Sequence, residues 1–89
     1  MILAKVTGTV ISTQKDENLS GLKLLLCREL DSEQKLRDTY HVAVDAVKAG
    51  EGDIVLLAYG SSARMTNVTR QAPIDAVTIA IVDNVSQSK

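Results

Sequence analysis

The chain is 89 residues long, and its ten Lys and Arg against eleven Asp and Glu leave a formal charge of −1. That balance offers no basic footprint for nucleic acid, and the length supports one domain, 1–89, whose thin core hides only roughly 60–65% of the surface of the unfolded chain. With no Phe or Trp, two Tyr and 45% hydrophobic residues, Val, Leu, Ile and Ala carry an apolar load larger than a small core absorbs, which suggests a subunit interface, the alternative being a compact aliphatic monomer.

In chain order, Met1 to Lys5 lacks the cationic region and longer apolar stretch of a signal peptide. No apolar run approaches the roughly 20 residues that span a bilayer, so a cytoplasmic location and no membrane partner are expected. Ile2 to Thr13 reads as a first strand, rich in β-branched residues, with Gly8 marking a bulge or bend. Lys15 to Asn18 is a polar loop. Leu22 to Leu30 is a second strand, with Leu22, Leu24 and Leu26 on one face and Lys23, Leu25 and Cys27 on the other. The lone Cys27 cannot form an internal disulfide. Asp31 to Gln34 is a turn. Leu36 to Ala46 holds a third strand, with His41, Ala43 and Asp45 on one side and Val42, Val44 and Ala46 on the other. Gly50 to Asp53 is a tight connection.

Ile54 to Tyr59 is a near-continuous apolar strand. Ser61 or Ser62 can cap a short helix running to about Thr69. Pro73 enters a turn, Val77 to Val82 is a fifth strand, and the tail from Ser86 to Lys89 is expected to be mobile. Five short strands and one short helix predict an all-β chain closed into a small five-stranded barrel of the oligonucleotide/oligosaccharide-binding type, because closure removes aggregation-prone edges.

No set of residues assembles chemistry by spacing. His41 and Asp45 share a strand face but lie about 13 Å apart at roughly 3.3 Å per residue, so His41 reads as a surface or interface residue. Gly60-Ser61-Ser62-Ala63 lacks the second glycine of a nucleophile elbow. Cys27, alternating with leucines, reads as a small apolar group. Glu51 and Asp53 are too few oxygens for calcium. The chain is therefore not expected to be an enzyme or to carry a cofactor or metal.

Three segments taken together carry a resemblance. They are Ala4-Lys5-Val6-Thr7-Gly8-Thr9-Val10-Ile11-Ser12-Thr13-Gln14-Lys15 continuing to Gly21–Leu26; Gly60-Ser61-Ser62-Ala63-Arg64 after the apolar strand; and Ala72-Pro73-Ile74-Asp75-Ala76-Val77 continuing to Asp83. In this order they resemble the pentameric vertex proteins of bacterial microcompartment shells. The resemblance implies the same barrel, a homopentamer capping the shell's vertices beside hexameric shell proteins, and a location in that shell. It also implies a place for Gly60, Ser61, Ser62, Ala63 and Arg64 at a central pore or subunit interface. Lys48 and the short stretch from Met65 to Gln71 depart from the family's pattern and bear on loop geometry. The competing reading is a binding module for single-stranded nucleic acid or another ligand, a common use of such barrels. That use needs aromatic platforms and a cationic groove, which two tyrosines and a charge of −1 do not supply.

Overall fold

The computed structural model describes residues 1–13, 15–70 and 72–87; Gln14, Gln71 and the last two residues of the expected mobile tail, Ser88 and Lys89, lie outside the described residues. Five strands, β1 (Ile2–Val10), β2 (Leu24–Leu30), β3 (Leu36–Asp45), β4 (Ile54–Tyr59) and β5 (Ala76–Ile81), close into a barrel in the order β1-β2-β3-β5-β4. All neighbours are antiparallel except β3 and β5, which run parallel. No helix of the described residues is long and apolar enough to cross a membrane.

β1 pairs with both β2 and β4: Ile2 to Lys5 lie against β4, and Ala4 to Val10 against β2. The register slips between Val6 and Gly8, the bulge that bends a barrel strand. The strand ends at Val10, short of the expected Thr13, because pairing with β2 begins at Leu24. The run before Leu24 is a 3-10 turn, Glu17–Leu19, capped by the Asp16 carboxylate accepting from the Asn18 N–H at 2.8 Å.

Alternation places the core. Val6, Leu25, Cys27, Ala43, Val55 and Leu57 fill the barrel and are at most 1% exposed. Of the two faces read on β2, the Leu25–Cys27 face is the interior one. A second cluster sits outside the wall, where Val44, Ala58 and Val77 pack against Ala63. The segment after β4 therefore lies over the barrel rather than away from it, and Ala58 at the end of β4 is buried for this reason.

The parallel β3–β5 seam has only two registered pairs, Val44 with Val77 and Asp45 with Thr78. Side chains reinforce it. The Thr78 hydroxyl donates to Asp45 Oδ1 at 3.0 Å and accepts from the Ala46 N–H at 3.0 Å. Asp45 Oδ1 also accepts from the N–H groups of Val47 and Ala49. Thr78 is fully buried, so these bonds offset the cost of burying its hydroxyl.

The expected helix from Ser61 or Ser62 to about Thr69 is instead a single 3-10 turn, Gly60–Arg64. No serine caps it: Tyr59 is the cap residue, and Ser62 Oγ donates back to the Tyr59 carbonyl at 2.6 Å. Gly60 enters in the left-handed region at φ +66°, its N–H held by the Asp75 carbonyl at 2.9 Å. Beyond Arg64 the chain is pinned by Thr69, fully buried, whose hydroxyl donates to the Ala63 carbonyl at 2.6 Å.

Candidate functional site

The segment Gly60–Arg64 is delivered by two strands. β4 ends at Tyr59, and the Gly60 N–H bonds to Asp75, the residue before β5. Gly60, Ser61, Ser62 and Arg64 are exposed, whereas Ala63 is buried in the outer cluster and anchors the turn. The Arg64 guanidinium reaches the Ile74 carbonyl at 3.4 Å and has no ion pair among the described residues. The turn thus presents a glycine, two small hydroxyls and one fork of donors outward from a fixed base.

Within the chain nothing lies within 4 Å of where a Cβ on Gly60 would stand, and the positive φ alone selects glycine.

Immediately before this turn, Tyr59 takes part in a polar chain that residue spacing does not reveal. His41 lies opposite Cys27 in the β2–β3 ladder, which brings Glu29, two residues along the same face, beside it. His41 Nε2 lies 2.9 Å from Glu29 Oε2, and His41 Nδ1 is hydrogen bonded to the Tyr59 hydroxyl from the other side of the barrel. The rings meet edge to face, 5.4 Å between centroids at 66°. In a neutral imidazole, one ring nitrogen donates and the other accepts, so with Nε2–H donating to the carboxylate, Nδ1 accepts the phenol hydrogen. His41 and Glu29 side chains are 16% and 19% exposed, so His41 is a brace at the barrel mouth rather than a surface residue. Arg37 on β3 approaches the other Glu29 oxygen at 3.4 Å. The signal that could have found this chain is hairpin register: the Asp31–Gln34 turn sets which β2 residues lie beside His41, and the search along β3 alone could not see them.

Tyr59 and Cys27 hold their protons more tightly in the fold than in the open chain. Burial, then the Asp45 carboxylate, pushes the Cys27 thiol up to about 11. Burial, then Asp75, Cys27 and Glu29, pushes the Tyr59 phenol up to about 12. A nucleophile or catalytic acid needs shifts of the opposite sign. The lysine and arginine that flank Cys27 in sequence do not activate it: Lys23 Nζ turns to the Ala49 carbonyl and Arg28 to Asp38. The Glu51–Asp53 turn is likewise structural, Asp53 Oδ2 accepting from the Gly50 N–H at 2.8 Å. Among the described residues no three His, Cys, Asp or Glu side chains cluster as metal ligands.

The two raised values set a pH dependence. As pH rises, the unfolded chain loses these protons first, so the stabilisation is whole below about pH 8.5, the ordinary thiol value, and is lost as pH climbs through about 11 and about 12. The urea midpoint is expected to fall between about pH 9 and about pH 11. The folded protein is expected to resist thiol reagents at about pH 8 that label it at once in denaturant; equal labelling rates in the two states would show Cys27 to be accessible.

The sequence matches the family described as ethanolamine utilisation protein EutN/carboxysome over residues 1–83. It is 48% identical over 86 residues to the carboxysome shell vertex protein CcmL of Nostoc sp., covering 96% of this chain and 85% of that one. It is 46% identical to the bacterial microcompartment shell vertex protein PduN of Salmonella typhimurium, covering 97% of this chain and 99% of the relative. The structure superposes on the GrpN pentameric microcompartment shell protein from Rhodospirillum rubrum with a TM-score of 0.89 at 44% identity, over the full length of both chains.

Proposed function

The chain belongs to the ethanolamine utilisation protein EutN/carboxysome family, and we propose that it is a shell subunit, five copies of which close a ring that caps the vertices of a bacterial microcompartment. The observation that carries this reading is the end-to-end likeness to a pentameric shell protein. A shell tiled by hexamers curves into a closed polyhedron only where five-fold corners replace six-fold ones, so the protein acts by geometry. Head-to-tail contacts between unlike surfaces close such a ring, and its rim meets the hexameric shell proteins.

The Gly60–Arg64 turn is placed, in this reading, at the centre of the ring. Gly60, Ser61 and Ser62 keep the opening narrow and polar, Ala63 ties the turn to the barrel, and Arg64 offers its donors to a carboxylate of the neighbouring copy. The exposed side chains and the buried anchor support this arrangement.

Native mass spectrometry at micromolar concentration tests the ring. The expected species is a pentamer of about 48 kDa from 9.6 kDa subunits; monomer alone would overturn the reading, and a hexamer would remove the vertex assignment. For the turn, Arg64→Glu is expected to weaken the ring by about 2–5 kcal/mol, as for a desolvated pair, against about 0–1 for an exposed one. Lys15→Glu serves as the surface control. Ser61→Trp is the proper crowding probe, because any side chain at Gly60 would strain its backbone whatever its neighbours. Full rings from both turn variants would place the turn at the periphery.

A further inference from the structure

The β1–β2 hairpin parts well before its loop closes. Val10 opposite Leu24 is the last registered pair, and between them the chain detours through the Glu17–Leu19 turn. Where the two arms diverge they leave a groove of about 240 Å³, open to solvent. Its floor is aliphatic: Val10, Leu22 and Leu24 line it, none of them fully buried, and Ile11 stands 87% exposed beside them.

Two lysines line the same groove. Lys15 Nζ donates to the Ser12 carbonyl at 3.2 Å, and Lys23 Nζ to the Ala49 carbonyl at 3.3 Å. These bonds to neutral oxygens hold the ammonium groups in place and leave their charge uncompensated, since an ammonium has three donors. Neither lysine has an ion pair among the described residues, and no described residue lining the groove is acidic. The Asp16 carboxylate, next in sequence to Lys15, is engaged by the Asn18 N–H as the cap of the 3-10 turn.

Aliphatic surface left in water favours a cover, and any cover here must also meet two positive charges. A basic partner is repelled and an acidic one is matched. The openness of the groove decides between a small acid and a larger partner. Sites for small molecules enclose most of the ligand, which this groove does not do, whereas a protein segment brings its own bulk to close it. We infer that the groove is a docking site for a segment of another protein that carries aliphatic side chains beside carboxylates. The aliphatic groups lie on Val10, Leu22 and Leu24, and the carboxylates meet Lys15 and Lys23. The site lies within one chain, so the inference stands apart from the ring reading. Its affinity is modest and falls with salt, because both charges are at the surface.

The test titrates the full chain, in its native oligomeric state, with a short synthetic peptide alternating leucine and glutamate. Saturable binding in the micromolar to millimolar range is expected by calorimetry, with the methyl resonances of Val10, Leu22 and Leu24 shifting in nuclear magnetic resonance spectra. The glutamine counterpart of the peptide is expected to bind about tenfold more weakly, the combined worth of two exposed charge pairs. The Lys15→Glu, Lys23→Glu double variant is expected to lose at least about tenfold for the acidic peptide while keeping the wild-type oligomer and circular dichroism. Octanoate is the free-acid arm and is expected to bind more weakly than the peptide. No saturable binding, equal affinity for the acidic and neutral peptides, or no loss in the double variant would overturn the proposal. Octanoate binding as tightly as the peptide would make the groove a site for a free acid, and loss of the oligomer in a folded double variant would give it to a second copy; either result also overturns it. Should the double variant fail to fold, Lys15→Gln with Lys23→Gln carries the same test.

Discussion

Leu57→Ala is expected to cost about 2–5 kcal/mol of folding stability, the range for a large-to-small change in a packed interior. Leu57 is fully buried at the centre of the barrel, on a strand paired on one side with β1 through Ile2 and on the other with β5 through Thr78. The strand that carries it is held by backbone hydrogen bonds on both sides, so the wall there cannot collapse readily onto the void. The chain has no Phe or Trp, and Tyr59, packed against the same cluster, is held by its hydrogen bond to His41, so no large neighbour readily fills it. A domain of this size holds only about 5–15 kcal/mol in total, so the variant should lose a large share of its stability. Urea titration measures it, with Leu36→Ala, half exposed at the start of β3, as the comparison expected to lose under about 1 kcal/mol. Equal losses at the two positions would show that the interior relaxes around the cavity and that this account of the core is wrong.

His41→Ala is expected to be nearly as damaging, about 2–4 kcal/mol. It leaves the Glu29 carboxylate and the Tyr59 hydroxyl without their shared partner, and each stranded, partly buried group costs about 1–3 kcal/mol. Arg37 remains near Glu29 at 3.4 Å and limits the loss there. The same change made on a Tyr59→Phe background is expected to cost less, because one of the two stranded groups is already gone; the difference, about 0.5–3 kcal/mol, is the coupling through Nδ1. If His41→Ala unfolds at the wild-type urea concentration, the imidazole is a bystander and the brace carries no stability.

Some of this protein is local and was therefore readable. Strand identity rests on β-branched content and period-two alternation, which is why five strands, the Gly8 bulge and the Asp31 turn follow from their own residues. Even there, strand ends were less legible: β1 stops at Val10 and β5 at Ile81, because a strand ends where its partner ends. The turn after β4 shows the same limit. Ser61 and Ser62 suggest a capped helix, yet the Asp75 carbonyl holds the Gly60 N–H and Thr69 pins the far side, and one 3-10 turn forms between them.

The candidate site divides along the same line. That Gly60 to Arg64 mark a candidate site came from the family resemblance, since residue type alone read the two serines as the cap of a short helix. That Ala63 faces the barrel while its four neighbours face outward was not visible, because the outer cluster it joins draws Val44 and Val77 from distant strands. The His41 brace shares this origin. Sequence by itself determined the all-β class, the strand count, the −1 charge and the surplus of aliphatic surface, since these depend on residue type and short spacing. Closure of the barrel decided which face of each strand is interior, which carboxylate meets His41, and which aliphatic residues are left over for a partner. Those are consequences of register between strands far apart in the chain, and register is fixed only when all five strands satisfy one another's hydrogen bonds and side-chain volumes at once.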